Sequence, residues 1–124
     1  YHGAQKDTRP FMKQCDCLIH PSYHEGMSNV CLEAAATARP ILASNIPGCR
    51  EIFDEGISGI GFEPRNVSAL VKAIETYIRI PYAERKRMGE KARKKVEEKF
   101  DRKFVINAYM DELECLEAMK NDYC

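Results

Sequence analysis

Two short apolar runs, Cys17–His20 (CLIH) and Ile41–Ser44 (ILAS), each stop at a turn signal, and one capped helix fits between them. Apolar runs this short suit strands covered on both faces. Parallel strands need a crossover connection, and the intervening residues offer one. Ser28 or Asn29 can cap a helix that runs to about Thr37, and Pro40 closes the connection. A Gly-flanked run, GIGFE, supplies a third strand candidate, with a turn at IPG and a short helical piece over Arg50–Phe53 before it. Strand–helix alternation of this kind specifies an α/β fold, a parallel sheet flanked by helices. Three strands make a thin sheet, because a complete doubly wound domain has about five or six.

The helices outside that unit follow from periodicity and caps. Asp7 or Thr8 can cap a short helix that tolerates Pro10 in its first turn, with Phe11, Met12 and Cys15 as its buried side. Asn66 caps the clearest amphipathic helix, on which Val67, Leu70, Val71, Ile74 and Ile78 fall at helical spacing and which Pro81 ends. Two charged helices follow, about Tyr82–Lys99 and Arg102–Met119, forming a helical C-terminal part over about 82–119. Val105, Ala108, Tyr109, Leu113 and Leu116 give the last helix a packing stripe. The 124 residues fit one domain, 1–124. The opening YHGAQKDTRPF lacks an initiator Met and reads as the middle of a longer chain, so a truncated domain is the expectation.

Composition narrows the function classes. Formal net charge is zero, which offers no electrostatic case for nucleic acid. No apolar run approaches the ~20 residues that span a bilayer, and no secretory signal is visible, so a cytoplasmic setting is the expectation. Cys15 and Cys17 lie too close for a CxxC zinc knuckle, and no second CxxC follows. Cys15, Cys17, Cys31, Cys49, Cys115 and Cys124 therefore read as reduced, small apolar residues. His2, His20 and His24 lack metal-ligand spacing and read as surface or strand-end residues.

The residues after the first strand carry the chemistry. Ligands of open parallel sheets bind beyond the carboxyl ends of the strands, and Ser22–Asn29 is such a strand-to-helix loop. It ends at a helix N-terminus, where free N–H groups and the dipole favour an anion such as phosphate. Gly26 lets backbone approach a ligand closely. Glu25 lies in the loop, and Glu33, about one turn into the helix, is the only charge between Val30 and Ala36. Carboxylates accept hydrogen bonds in pairs, which suits the vicinal hydroxyls of a sugar or ribose. A solvated loop Glu and the exposed edge of an amphipathic helix explain the same two residues without a ligand.

The stretch HPSYHEGMSNVCLEAAATARPILASNIPGCREIFDEGISGIGFEPRNVSALVKAI resembles the C-terminal, donor-binding domain of the retaining GT-B glycosyltransferases of family four, the glycosyl transferases group 1. Glu25 and Glu33 match the E-x7-E motif of that family, and the resemblance extends in order over nearly all of Gly3–Ile80. It implies a Rossmann-like sheet forming the C-terminal half of a GT-B domain. It implies that Glu33 binds the ribose hydroxyls and that Glu25 lies at the donor sugar near the reacting centre. Gly26, Met27, Ser28, Asn29 and Val30 would supply backbone amides to the sugar and diphosphate. The implied reaction moves a sugar from a nucleotide-diphosphate donor with retention and without a metal, and the chain lacks a D-x-D motif. Charge stabilisation on the leaving diphosphate and positioning of the acceptor would drive it, by front-face attack rather than through a covalent Glu25. The saccharide or lipid-linked acceptor would bind an N-terminal domain that is missing here, together with the family's basic diphosphate-gripping residues, so this chain alone should be inactive. By analogy the pathway is polysaccharide biosynthesis.

Two other readings fit the residues. One is a non-catalytic nucleotide-binding or interaction module with a Rossmann-like fold; no G-x-G-x-x-G follows a strand, which disfavours a dinucleotide enzyme. The other is peripheral contact with the inner face of a membrane, because Glu84–Lys103 holds ten Lys or Arg against five Asp or Glu. A solvated pair of helices laced with ion pairs such as Glu90–Lys94, worth ~0.3 kcal/mol each, accounts for the same charges.

Overall fold

A computed structural model describes residues 1–121. Its element order is α1 (Arg9–Gln14), β1 (Leu18–His20), α2 (Asn29–Ala36), β2 (Ile41–Ser44), β3 (Gly59–Phe62), α3 (Val67–Arg79), α4 (Tyr82–Lys99) and α5 (Arg102–Asn121). The strands form one parallel sheet in the order β1-β2-β3, with Leu18 opposite Ile41 and Ile41 opposite Gly59.

All four residues of β2 are buried. Their side chains alternate between the sheet faces, as a strand's period of two requires. Ile41 and Ala43 join Cys31, Ala34, Ala35, Ile46, Cys49, Ile52, Phe53 and Ala92 in one core cluster, beneath α2 and α4. Leu42 faces the other way and packs with Phe62, Ala73 and Tyr77 under α3. Burying a side chain such as Ile41 or Leu42 contributes about 1.5–3 kcal/mol.

Several expectations change in the folded chain. The segment Arg50–Phe53 forms hydrogen-bonded turns, not a helix; Cys49 and Arg50 N–H both donate to the Ile46 carbonyl, and Ile52 N–H donates to Cys49. Four residues between a Gly of φ +82° and the buried Phe53 are too few to repay helix nucleation. Cys15 is exposed, because the backbone turns extended at that residue and takes its side chain off the α1 stripe; Phe11 and Met12 are half-buried. On α3 the buried line is Ala73 and Tyr77, with Leu70 and Ile74 partly covered, while Val67, Val71 and Ile78 are exposed. The Tyr77 hydroxyl donates to the Asp16 carbonyl at 2.8 Å, which fixes that rotation of the helix. The expected packing stripe of α5 is exposed: Val105, Tyr109, Leu113 and Leu116 all face outward. On α4 the i,i+4 pairs are Arg93–Glu97 and Lys94–Glu98 rather than Glu90–Lys94. Cys124 lies outside the described residues. Among the described residues no helix is long and apolar enough to cross a membrane.

Helix α4 docks on the end of α2 through Gly89. A Cβ built there would stand 2.1 Å from the Ala38 carbonyl oxygen, a contact that backbone cannot yield cheaply. Ala38 itself takes φ 57° to end α2. Gly89→Ala should therefore destabilise the protein by about 1–3 kcal/mol, read as a lower urea midpoint; an unchanged midpoint would contradict this docking.

Candidate functional site

The loop between β1 and α2 is fixed at both ends. At its start His20, the last residue of β1, places Nε2 2.9 Å from Glu25 Oε1. Both side chains are half-buried. The hydrogen bond from His20, helped by Ser22, holds the Glu25 carboxyl below the usual carboxylate range. Glu25 is therefore ionised at neutral pH and is equipped to accept hydrogen bonds.

At its end Ser28 caps α2. Its Oγ accepts from the Cys31 N–H at 3.4 Å, and its own N–H donates to the Gly48 carbonyl at 2.9 Å. The Ser28 amide is thus engaged within the protein, whereas Asn29 and Val30 open the helix, where N–H groups have no intrahelical acceptor. Gly26 faces open space, with nothing within 4 Å of where a Cβ would stand. Met27 is exposed.

Glu33 is exposed on the second turn of α2, where its Oε2 accepts the Thr8 hydroxyl at 2.6 Å. Thr8 occupies the cap position of α1 without a side-chain cap bond; Asp7 receives the Arg9 N–H instead. The two carboxylates are accordingly held by different neighbours, Glu25 by the end of β1 and Glu33 by the entry to α1.

Sequence reasoning missed contributors at four places, one of them a pair of cysteines. His20 appeared as an unremarkable strand-end histidine, although it orients Glu25. Gly48, read only as part of a turn, is the floor of the loop: a Cβ there would meet the Gly26 oxygen at 2.5 Å and the Glu25 oxygen at 2.8 Å. Cys31 and Cys49 are fully buried beside His20, and one ligand atom from each of the three lies within 4.8 Å of the others. Burial pushes the Cys31 thiol up to about 12 and raises Cys49 as well, so both are protonated at neutral pH. The fourth is Ser44 at the end of β2, a buried hydroxyl with no hydrogen-bond partner among the described residues. It lines a cavity of about 180 Å³ with Tyr23, Phe62 and Arg65, at the carboxyl ends of the strands. A larger concavity of about 400 Å³, lined by Lys13, Arg39 and Arg85, opens at the amino ends of β1 and β2, opposite to where ligands of open parallel sheets bind.

A parallel sheet whose first crossover loop presents an ionised carboxylate at a helix start defines a Rossmann-like α/β domain. Residues 1–95 match the family described as Glycosyl transferases group 1, and the chain belongs to that family. It is 33% identical over 107 residues to a glycogen synthase of Mycobacterium tuberculosis, covering 86% of this chain and 26% of that protein. It is 27% identical over 110 residues to a lipopolysaccharide core biosynthesis glycosyltransferase of Rhizobium meliloti, covering 89% of this chain and 32% of that protein. The chain thus spans about a third or less of the curated relatives it matches. Its fold is shared with a sucrose-phosphate synthase of Thermosynechococcus elongatus (TM-score 0.79, 23% identity, 88% of this chain and 27% of that one). It is shared too with HepE of Anabaena in complex with UDP and glucose (TM-score 0.74, 23% identity, 91% and 30%). These are GT-B glycosyltransferase folds.

Gly48→Ala tests the floor of the loop. A side chain at φ +82° and the contact with Gly26 should cost about 1–3 kcal/mol of stability and should shift the amide resonances of Gly26 and Met27. A stable variant with unmoved resonances would show that Gly48 does not set the loop.

Proposed function

We propose that this chain is the donor-binding part of a retaining glycosyltransferase, which moves a sugar from a nucleotide-diphosphate donor to a saccharide or lipid-linked acceptor. The observation that carries this reading is Glu25, held ionised by His20 beside the open start of α2. A carboxylate that is never a proton donor at neutral pH is suited to accept from sugar hydroxyls, and the adjoining helix start is suited to an anion. Gly26, with nothing within 4 Å of where a Cβ would stand, would leave room for a hexose, and the Asn29 and Val30 amides at the helix start would meet diphosphate oxygens. Glu33 accepts the Thr8 hydroxyl at 2.6 Å, and in this reading the same carboxylate would accept the ribose hydroxyls. The relatives support the same chemistry: the HepE structure contains UDP and glucose, and the curated relatives are named for glycogen and lipopolysaccharide synthesis.

In this reading the transfer needs no metal ion, as the family resemblance implies. Backbone dipoles at the helix start and basic residues supplied from outside this chain would carry the charge on the leaving diphosphate. The acceptor would be bound outside this chain too, so residues 1–124 alone should bind nucleotide weakly and transfer no sugar. Membrane contact through the basic stretch draws less support, because Arg93, Lys94 and Lys95 are engaged by Glu97, Glu98 and Asp54.

The two carboxylates separate experimentally in the full-length protein. Glu33→Ala should weaken UDP or GDP binding by about 10–100-fold, the weight of hydrogen bonds to a charged group, as read by calorimetric titration. Glu25→Ala should leave nucleotide affinity within a few-fold and lower turnover by about 10²–10³-fold, the range for loss of one preorganised electrostatic contact. Equal nucleotide affinity in wild type and Glu33→Ala, or full turnover in Glu25→Ala, would overturn the respective assignment. Robust transfer by residues 1–124 alone would overturn the division of labour.

A further inference from the structure

The geometry points to a binding site for a soft divalent d10 cation, of which Zn2+ is the common biological member, formed by His20, Cys31 and Cys49. The three residues come from different elements: the end of β1, the first turn of α2 and the turn after β2. Both cysteines are fully buried and free of disulfide bonds, and the histidine is half-buried. One nitrogen and two sulfurs within 4.8 Å of one another form a compact donor set. A tetrahedral zinc with Zn–S near 2.3 Å sets two sulfurs about 3.8 Å apart, so closing on the ion requires a movement of about 1 Å or less. Thiolate and imidazole are the donors that favour this class of ion over Mg2+ or Ca2+. The Glu25 carboxylate stands 2.9 Å from His20 Nε2 and adds negative charge beside the three donors. Metal-bound histidines regularly keep such a carboxylate on the ring.

Binding exchanges two S–H bonds for two metal–sulfur bonds and releases two protons to solvent, with no change of oxidation state. The ion would tie together the three segments that hold the Ser22–Ser28 loop. This inference stands apart from sugar transfer, since its test reads the ion itself.

The test is titration of Co2+, a coloured surrogate, into the full-length protein with thiols kept reduced. A Cys15→Ser/Cys17→Ser/Cys115→Ser/Cys124→Ser background removes the other cysteines of this chain while keeping the trio. Expected is one equivalent of Co2+ giving a sulfur-to-metal charge-transfer band and intense tetrahedral d–d absorption, both bleached by Zn2+. Cys49→Ser should lose the band, and His20→Asn should weaken binding at least tenfold. Because substitution near the core can impair folding, X-ray absorption of the Zn2+-loaded unsubstituted protein provides a second reading. Two sulfurs near 2.3 Å and at least one nitrogen or oxygen near 2.0–2.1 Å are expected. No charge-transfer band at tenfold Co2+ excess, a band that survives Cys49→Ser, or a shell of oxygen and nitrogen alone would each overturn the site.

Discussion

Ile41, Leu42, Ala43 and Ser44 have no side turned to water, and the remaining elements arrange themselves around that fact. A strand covered on both faces needs partners on both edges and helices above and below. β1 and β3 supply the edges, α2 with α4 one cover, and α3 the other. The parallel direction then places the ends of β1 and β2 side by side, so the loop after His20 and the turn after Ser44 open at the same end. The hydrogen bond from Ser28 N–H to the Gly48 carbonyl joins those two segments. The loop that carries Glu25 is thus anchored to the core strand through a neighbouring turn.

That arrangement explains how the loop holds the Glu25 carboxylate in place. A loop is ordinarily mobile because few buried contacts oppose its opening. Here Glu25 is flanked by a hydrogen-bonding His20 on a strand and by a buried Ser28 that caps a helix. The ordering entropy of the loop is met by the fold before any ligand arrives, which is the condition for preorganised recognition. The close approach of Gly48 and the buried pair Cys31 and Cys49 belong to the same anchor.

Much of the scaffold was legible locally. β2 appears at Ile41–Ser44, and α2 begins after the Ser28 cap, because apolar runs and caps are written in consecutive residues. The Asn66 cap of α3 and the extent of α4 follow for the same reason. Errors arose where a face had to be chosen. Val67, Val71 and Ile78 share helical spacing with Leu70 and Ile74, but only the sheet decides which side of α3 it covers, and Tyr77 reaching Asp16 selects another line. Likewise the apolar stripe of α5 has the right period and lies exposed.

The sequence by itself determined the strand–helix alternation, the caps, the pairing of Glu25 and Glu33 at a loop and helix start, and the family. Each depends on near neighbours along the chain or on a motif of fixed spacing. The tertiary structure alone decided which groups meet: His20 with Glu25, Thr8 with Glu33, Gly48 beneath Gly26, and His20 with Cys31 and Cys49. Those contacts join the end of one strand, a helix start and the turn after another strand. Sequence spacing does not encode them, because the crossover that closes them is set by burial of β2 between two layers of helices.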